Sequence, residues 1–99
     1  KVGISNVGDE IPEKYYLSQN YPNPFNPVTN IRFDIIKAGN VKLSVYDITG
    51  KEVSVLTNEV LKPGSYEVKF DASQLSSGVY YYKIEAGEFV SIKRMVLLK

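Results

Sequence analysis

The side chains that most often carry enzyme chemistry are missing from this sequence. It holds no histidine and no cysteine, which removes Ser-His and Cys-His nucleophiles, thiolate metal sites, disulfides and the general base that titrates nearest neutral pH. Carboxylates remain. Asp34, Asp47, Asp71 and Glu85 fall on different predicted elements, and none lies in the dense D-x-D spacing of a calcium loop. A glycosidase pair needs a cleft, and a small sandwich without cleft-forming insertions makes that improbable. The sequence therefore predicts no enzyme, no catalytic residue, no metal site and no cofactor. Basic residues number 12 against 11 acidic ones, a net charge of +1, so no pull toward nucleic acid or a membrane surface is implied. The remaining chemistry is recognition by a shaped surface.

Three stretches suit that role. Tyr21 to Pro27 reads YPNPFNP, and Pro22, Pro24 and Pro27 fix their own φ and offer no N–H to a ladder. The stretch must lie on an edge or bridge two elements, as a stiff clamp. Asn23 and Asn26 can bond nearby backbone, and the rings of Tyr21 and Phe25 call for a dry surface. The second stretch is Gly78 and Tyr80, where glycine supplies a special φ before a strand and tyrosine packs. The third is Phe89 to Leu98, apolar on both faces and followed by Lys99. Val90, Ile92 and Val96 stand on one face, with Phe89, Met95 and Leu97 on the other. Such a strand is either central or flanked by something absent from this sequence. With Lys93, Arg94 and Lys99 it suits edge addition to a receptor strand or self-association, although lysines also deter aggregation at ordinary edges.

These stretches need a scaffold, and the alternation of apolar residues supplies one. At 99 residues the chain is one domain that can bury about two-thirds of its unfolded surface. Lys1 to Lys14 has no period and reads as a linker from a missing upstream cargo region. Because the first residue is Lys1 and not methionine, the chain is expected to be a piece of a longer protein. Tyr15 to Gln19 reads as a short strand. Asn30 to Ile35 alternates, with Ile31, Phe33 and Ile35 inward, and Val41 to Tyr46 does the same with Val41, Leu43 and Val45. These two are expected to form a hairpin through Ala38-Gly39-Asn40. Asp47 to Gly50 is a turn with Asp47 bonding its own backbone and Gly50 at positive φ. Glu52 to Leu56, Ser65 to Phe70, Val79 to Glu85 and the last strand complete the set, and Leu75 plugs the loop from Asp71 to Gly78. About seven strands at regular spacing, with no helical period, predict an all-β, antiparallel immunoglobulin-like β-sandwich over 15–99.

From about Ile11 to Lys99 the chain resembles the C-terminal sorting domain of the type IX (Por) secretion system, type A. Leu17 to Pro27 matches "L-x-x-NYPNPFNP", and Val28, Thr29, Ile31 and Phe33 match "TTxIxF" with valine for the first threonine. Tyr46-Asp47 with Gly50 and Val53 matches "YDxxGxxV". Ser77 to Tyr80 matches "SGVY", and Lys93 to Lys99 matches "KKMVLLK" with arginine for the second lysine. Ile36 stands where the family more often has proline.

The resemblance implies an address rather than a catalyst. A cargo domain N-terminal to it on the same chain would pass the inner membrane by the Sec route. The outer-membrane translocon would then recognise the folded tail, and a sortase-like peptidase would release the cargo or join it to a surface anchor. The expected location is the periplasm in transit, then the cell surface or the extracellular space. Candidate recognition residues are Tyr21, Pro22, Asn23, Pro24, Phe25, Gly78, Tyr80, Lys93, Arg94 and Lys99. The alternative is an adhesion or carbohydrate-binding module using Tyr15, Tyr16 and Tyr80 to Tyr82. Alternation works against a sugar platform there, because adjacent tyrosines point to opposite faces.

Overall fold

Alternation every second residue builds two sheets here. The computed structural model describes residues 4–8 and 10–99, and every regular element among them is a strand: β1 (Ile4–Gly8), β2 (Tyr16–Leu17), β3 (Val28–Ile35), β4 (Gly39–Tyr46), β5 (Glu52–Leu61), β6 (Gly64–Asp71), β7 (Gly78–Ala86) and β8 (Phe89–Leu97). They form two four-stranded sheets in the orders β1-β6-β3-β2 and β5-β4-β7-β8, and every strand pair is antiparallel. With β2-β3-β6 opposite β4-β7-β8, this is the A-B-E and C-F-G arrangement of an immunoglobulin-type sandwich. The inward residues of β3, β4, β6 and β7 are buried, and Met95 and Leu97 of β8 join them. Each fully buried apolar side chain of this size stabilises the fold by about 1.5–3 kcal/mol.

Several expectations change. β3 and β4 are not a hairpin: β3 pairs with β2 and β6, while β4 pairs with β5 and β7, so the chain crosses between sheets after Ile35. Alternation reveals which side chains face the core, and both sheets of a sandwich face the same core. β5 runs to Leu61, beyond the expected Leu56, because two register shifts against β4 break its alternation. Part of the stretch read as a linker, Ile4–Gly8, pairs with β6; residues 1–3 and 9 of that stretch lie outside the described residues.

β8 is not central. It is an edge strand paired only with β7, and Val90 and Ile92 stay 55% and 59% exposed on its outer face. Lys93 is half-buried on its inner side, a charge placement that discourages further strand pairing. On the same side of the sandwich, Tyr15 stacks on Phe89 with ring centroids 5.0 Å apart.

The turns and plugs follow the expected pattern. Asp47 Oδ1 accepts the N–H groups of Thr49 and Lys51 at 2.9 and 3.1 Å, and Gly50 has φ +89°. The Thr49 hydroxyl, then the Lys51 amide, hold the Asp47 carboxyl below its ordinary value. Leu75 packs against the core from its loop.

Candidate recognition surface

The proline clamp bridges the two sheets. It leaves β2 on the edge of one sheet and docks on β8, the facing edge of the other. Tyr21 and Asn30 exchange two backbone bonds of 2.9 Å, which anchors the start of the clamp to β3. Phe25 then acts as a one-residue strand: its N–H donates to the Val96 carbonyl at 3.0 Å, and its own carbonyl accepts the Leu98 N–H at 2.9 Å. Asn23 Oδ1 accepts the Val96 N–H at 3.0 Å, and Gln19 Nε2 donates to the Arg94 carbonyl at 2.6 Å. Proline's missing N–H explains the arrangement, because the side chains of Asn23 and Gln19 and the backbone of Phe25 do the pairing that a regular strand would do with backbone.

A buried polar cluster holds the clamp's base. Asn20 Nδ2 donates to Thr29 Oγ1 at 3.0 Å and to the Pro22 carbonyl at 3.2 Å, and Thr29 Oγ1 donates to the same carbonyl at 2.9 Å. From the opposite sheet, the Tyr82 hydroxyl donates to the Ser18 carbonyl at 2.6 Å and accepts the Asn20 N–H at 2.8 Å. Both asparagine and threonine are buried, and so is the tyrosine ring. Each polar atom thus meets a partner, as burial requires. The sequence motifs contain Asn20 and Thr29, but nothing in their spacing pointed to Tyr82, which lies 62 residues away from Asn20.

Burial pushes the Tyr82 hydroxyl up to about 12, against a smaller opposing effect of the Asn20 amide. The folded state keeps the phenol protonated while the unfolded chain ionises near pH 10, so this contribution is whole below about pH 10 and is lost as pH rises toward about 12, by about 1.4 kcal/mol per unit. Tyr82→Phe is expected to lower stability by about 1–3 kcal/mol at neutral pH by stranding the Asn20 N–H and Ser18 carbonyl. In urea titrations, the gap between wild type and Tyr82→Phe should narrow above about pH 10; a constant gap would contradict this assignment.

The candidate residues separate into an exposed set and an inward set. Tyr21, Pro22, Asn23, Pro24, Gly78, Arg94 and Lys99 are exposed, Lys93 is half-buried, and Phe25 and Tyr80 are buried. The expected dry seat for both clamp aromatics holds for Phe25 alone, at 2% exposure beside Phe70; Tyr21 is 79% exposed. Its backbone is fixed by the Asn30 bridge, which directs the ring away from the core. Tyr80 packs and donates its hydroxyl to the Ser76 carbonyl at 2.7 Å, four residues back, as Tyr66 does to Lys62 at 2.6 Å. This is the tyrosine-corner device of immunoglobulin-type sandwiches. Gly78, the first residue of β7, takes φ +154°, a conformation that glycine adopts without the penalty of a Cβ.

Lys99 is exposed but engaged, its Nζ donating to the Ser73 and Leu75 carbonyls at 2.7 and 2.9 Å and its N–H to Ser77 Oγ at 2.9 Å. Gly78 is opposite Leu97 in the β7–β8 register, and Phe25 bridges to Leu97. The clamp, the start of β7 and the end of β8 therefore share one end of the sandwich. At that end the outward backbone groups of β8 from the Arg94 carbonyl to the Leu98 amide are already bonded within the chain. Addition of a receptor strand there requires the clamp to leave. Among the described residues, no group of three or more His, Cys, Asp or Glu side chains could hold a metal ion.

Over residues 19–98 the chain matches the secretion system C-terminal sorting domain family. It belongs to that family. The match begins at Gln19, just before the clamp, and ends at Leu98, whose amide the clamp binds. Sorting domains of this family are the C-terminal sorting signals of type IX secreted proteins, which are exported through the outer membrane to the cell surface or extracellular space. That role is non-catalytic, and it implies contact with the type IX machinery and attachment to an N-terminal cargo domain. The carbohydrate-binding alternative is not favoured; Tyr80 and Tyr82 are buried, leaving Tyr81 half-buried on the other face. No curated protein matches the chain.

Proposed function

We propose that the outer-membrane translocon reads this sorting domain as a folded unit, at the end of the sandwich where the clamp meets β8. The single observation that carries the reading is the backbone bridge from Phe25 to Val96 and Leu98. It joins the two segments with the strongest family character into one surface that is assembled only in the folded domain. The contact residues are Tyr21, Pro22, Asn23, Pro24, Gly78, Lys93 and Arg94, while Phe25, Tyr80 and Lys99 act from within by holding that surface in shape. A sortase-like peptidase then detaches the domain and releases the cargo or joins it to a surface anchor. The sorting domain itself supplies no reactive group to that step.

The test fuses residues 1–99 to a signal peptide and a fluorescent protein, in hosts with and without the translocon. Fluorescence outside the cell or on its surface is expected only with the translocon. A double variant that removes both positive charges, Lys93→Gln with Arg94→Gln, is expected to fold and to be exported less efficiently. Equal export from both hosts would overturn the reading.

A further inference from the structure

The exposure of Tyr21 calls for an explanation that folding does not provide. The ring is 79% exposed, more than any other large apolar side chain among the described residues, so it adds little to the core. Yet its backbone is fixed by hydrogen bonds on both of its polar groups. Its N–H and carbonyl both bond Asn30, and the carbonyl of the next residue, Pro22, accepts bonds from both Asn20 and Thr29. Only four polar residues are buried among the described ones, and two of them converge on that single oxygen. Buried polar groups are retained at a disadvantage relative to apolar packing unless something depends on their geometry. What depends on it here is the position of an exposed tyrosine flanked by proline.

We propose that Tyr21 is the anchor of the docking surface, inserting its ring into a dry, uncharged pocket on the outer-membrane secretion machinery. This rests on the translocon reading above and names the chemistry of its contact. Tyrosine is enriched among the few side chains that dominate protein interfaces, because a large ring is buried with few torsions to freeze. The Asn30 bridge and the Pro22 bonds have already frozen the backbone, so docking orders little that was free. The pocket is uncharged because its counterpart is: no charged side chain stands between Lys14 and Arg32 in the sequence. Over this stretch a partner finds no charge to steer on, so the contribution of the ring itself should be insensitive to salt, unlike that of Lys93 and Arg94 nearby.

The experiment measures binding of the fluorescently labelled domain to outer-membrane vesicles prepared from hosts with and without the translocon, at low and high salt. Wild type is expected to bind only the translocon-bearing vesicles, and the fold-change in binding caused by Tyr21→Ala is expected to be the same at both salt levels. Tyr21→Ala should weaken binding by at least roughly tenfold with an unchanged thermal midpoint, since the ring leaves no cavity. Tyr21→Phe should stay within a few-fold of wild type. Translocon-dependent binding that Tyr21→Ala leaves intact, a Tyr21→Ala loss that vanishes in high salt, or binding that Tyr21→Phe loses as fully as Tyr21→Ala would overturn the anchor while leaving the sorting reading standing. Wild-type binding that does not distinguish the two vesicle preparations would overturn the sorting surface, and the anchor with it.

Discussion

Phe25→Ala is expected to destabilise the domain by about 3–5 kcal/mol, a large share of the 5–15 kcal/mol that holds a domain of this kind together. The ring is 2% exposed and lies 6.2 Å, centroid to centroid, from Phe70. Removing it opens a cavity at the seam of the two sheets, where collapse is resisted by prolines on either side. The damage spreads because the backbone of the same residue carries the bonds to Val96 and Leu98. Urea unfolding followed by circular dichroism measures the loss, and hydrogen exchange should show the Leu98 amide opening first. A Phe25→Ala protein with wild-type stability and a protected Leu98 amide would mean that the clamp is not fastened through this residue. The neighbouring Tyr21→Ala substitution, on the same clamp, is expected to leave both measurements unchanged.

The second large effect concerns the closing segment. Deleting Arg94 to Lys99 is expected to unfold the domain rather than simply remove a signal. The deletion takes Met95 and Leu97, both fully buried, and with them about 3–6 kcal/mol of burial. It also removes the register partners of Gly78, Val79, Tyr80 and Tyr81 on β7 and the backbone against which Phe25 docks. The truncated protein should lack a cooperative unfolding transition and be cleaved rapidly by added protease. Loss of export in that variant would then report loss of fold. Substitutions confined to exposed positions, such as Arg94→Gln, separate the signal from its scaffold. A truncated protein that still unfolds cooperatively would show that β8 is dispensable for the fold.

Much of this was legible in the residues themselves. The inward faces of β3, β4, β6 and β7 follow from alternation, because a residue two positions along a strand returns to the same face. The pairing of β7 with β8 follows from Ala86-Gly87-Glu88, and Gly87 takes φ +61° in that turn. Partnership between distant strands is another matter. Ile35 and Val41 both face the core, and nothing in either side chain records that they do so from opposite sheets. Extra residues in β5 hid half of that strand for a related reason, since a bulge reverses the face on which every later residue lies.

The clamp was legible as a place where ladders must stop, because that is a property of proline alone. The direction of its rings was not, because proline fixes its own φ and says little about the side chain next to it. The polar cluster at its base was the least visible feature. Tyr82 reads as one of three consecutive tyrosines, and only the fold reveals that its hydroxyl crosses to Asn20 and Ser18.

The bond from Val96 to Asn23 spans 73 residues of chain. A polypeptide is made, and threaded through a membrane, from its N-terminal end, so the clamp emerges long before the strand it grips. Until β8 arrives, Phe25 has no ladder to join and the end surface does not exist. A cargo whose synthesis is cut short inside this domain therefore displays no finished address. Under the proposed reading, the surface on which the translocon docks would exist only on chains whose translation ran through β8.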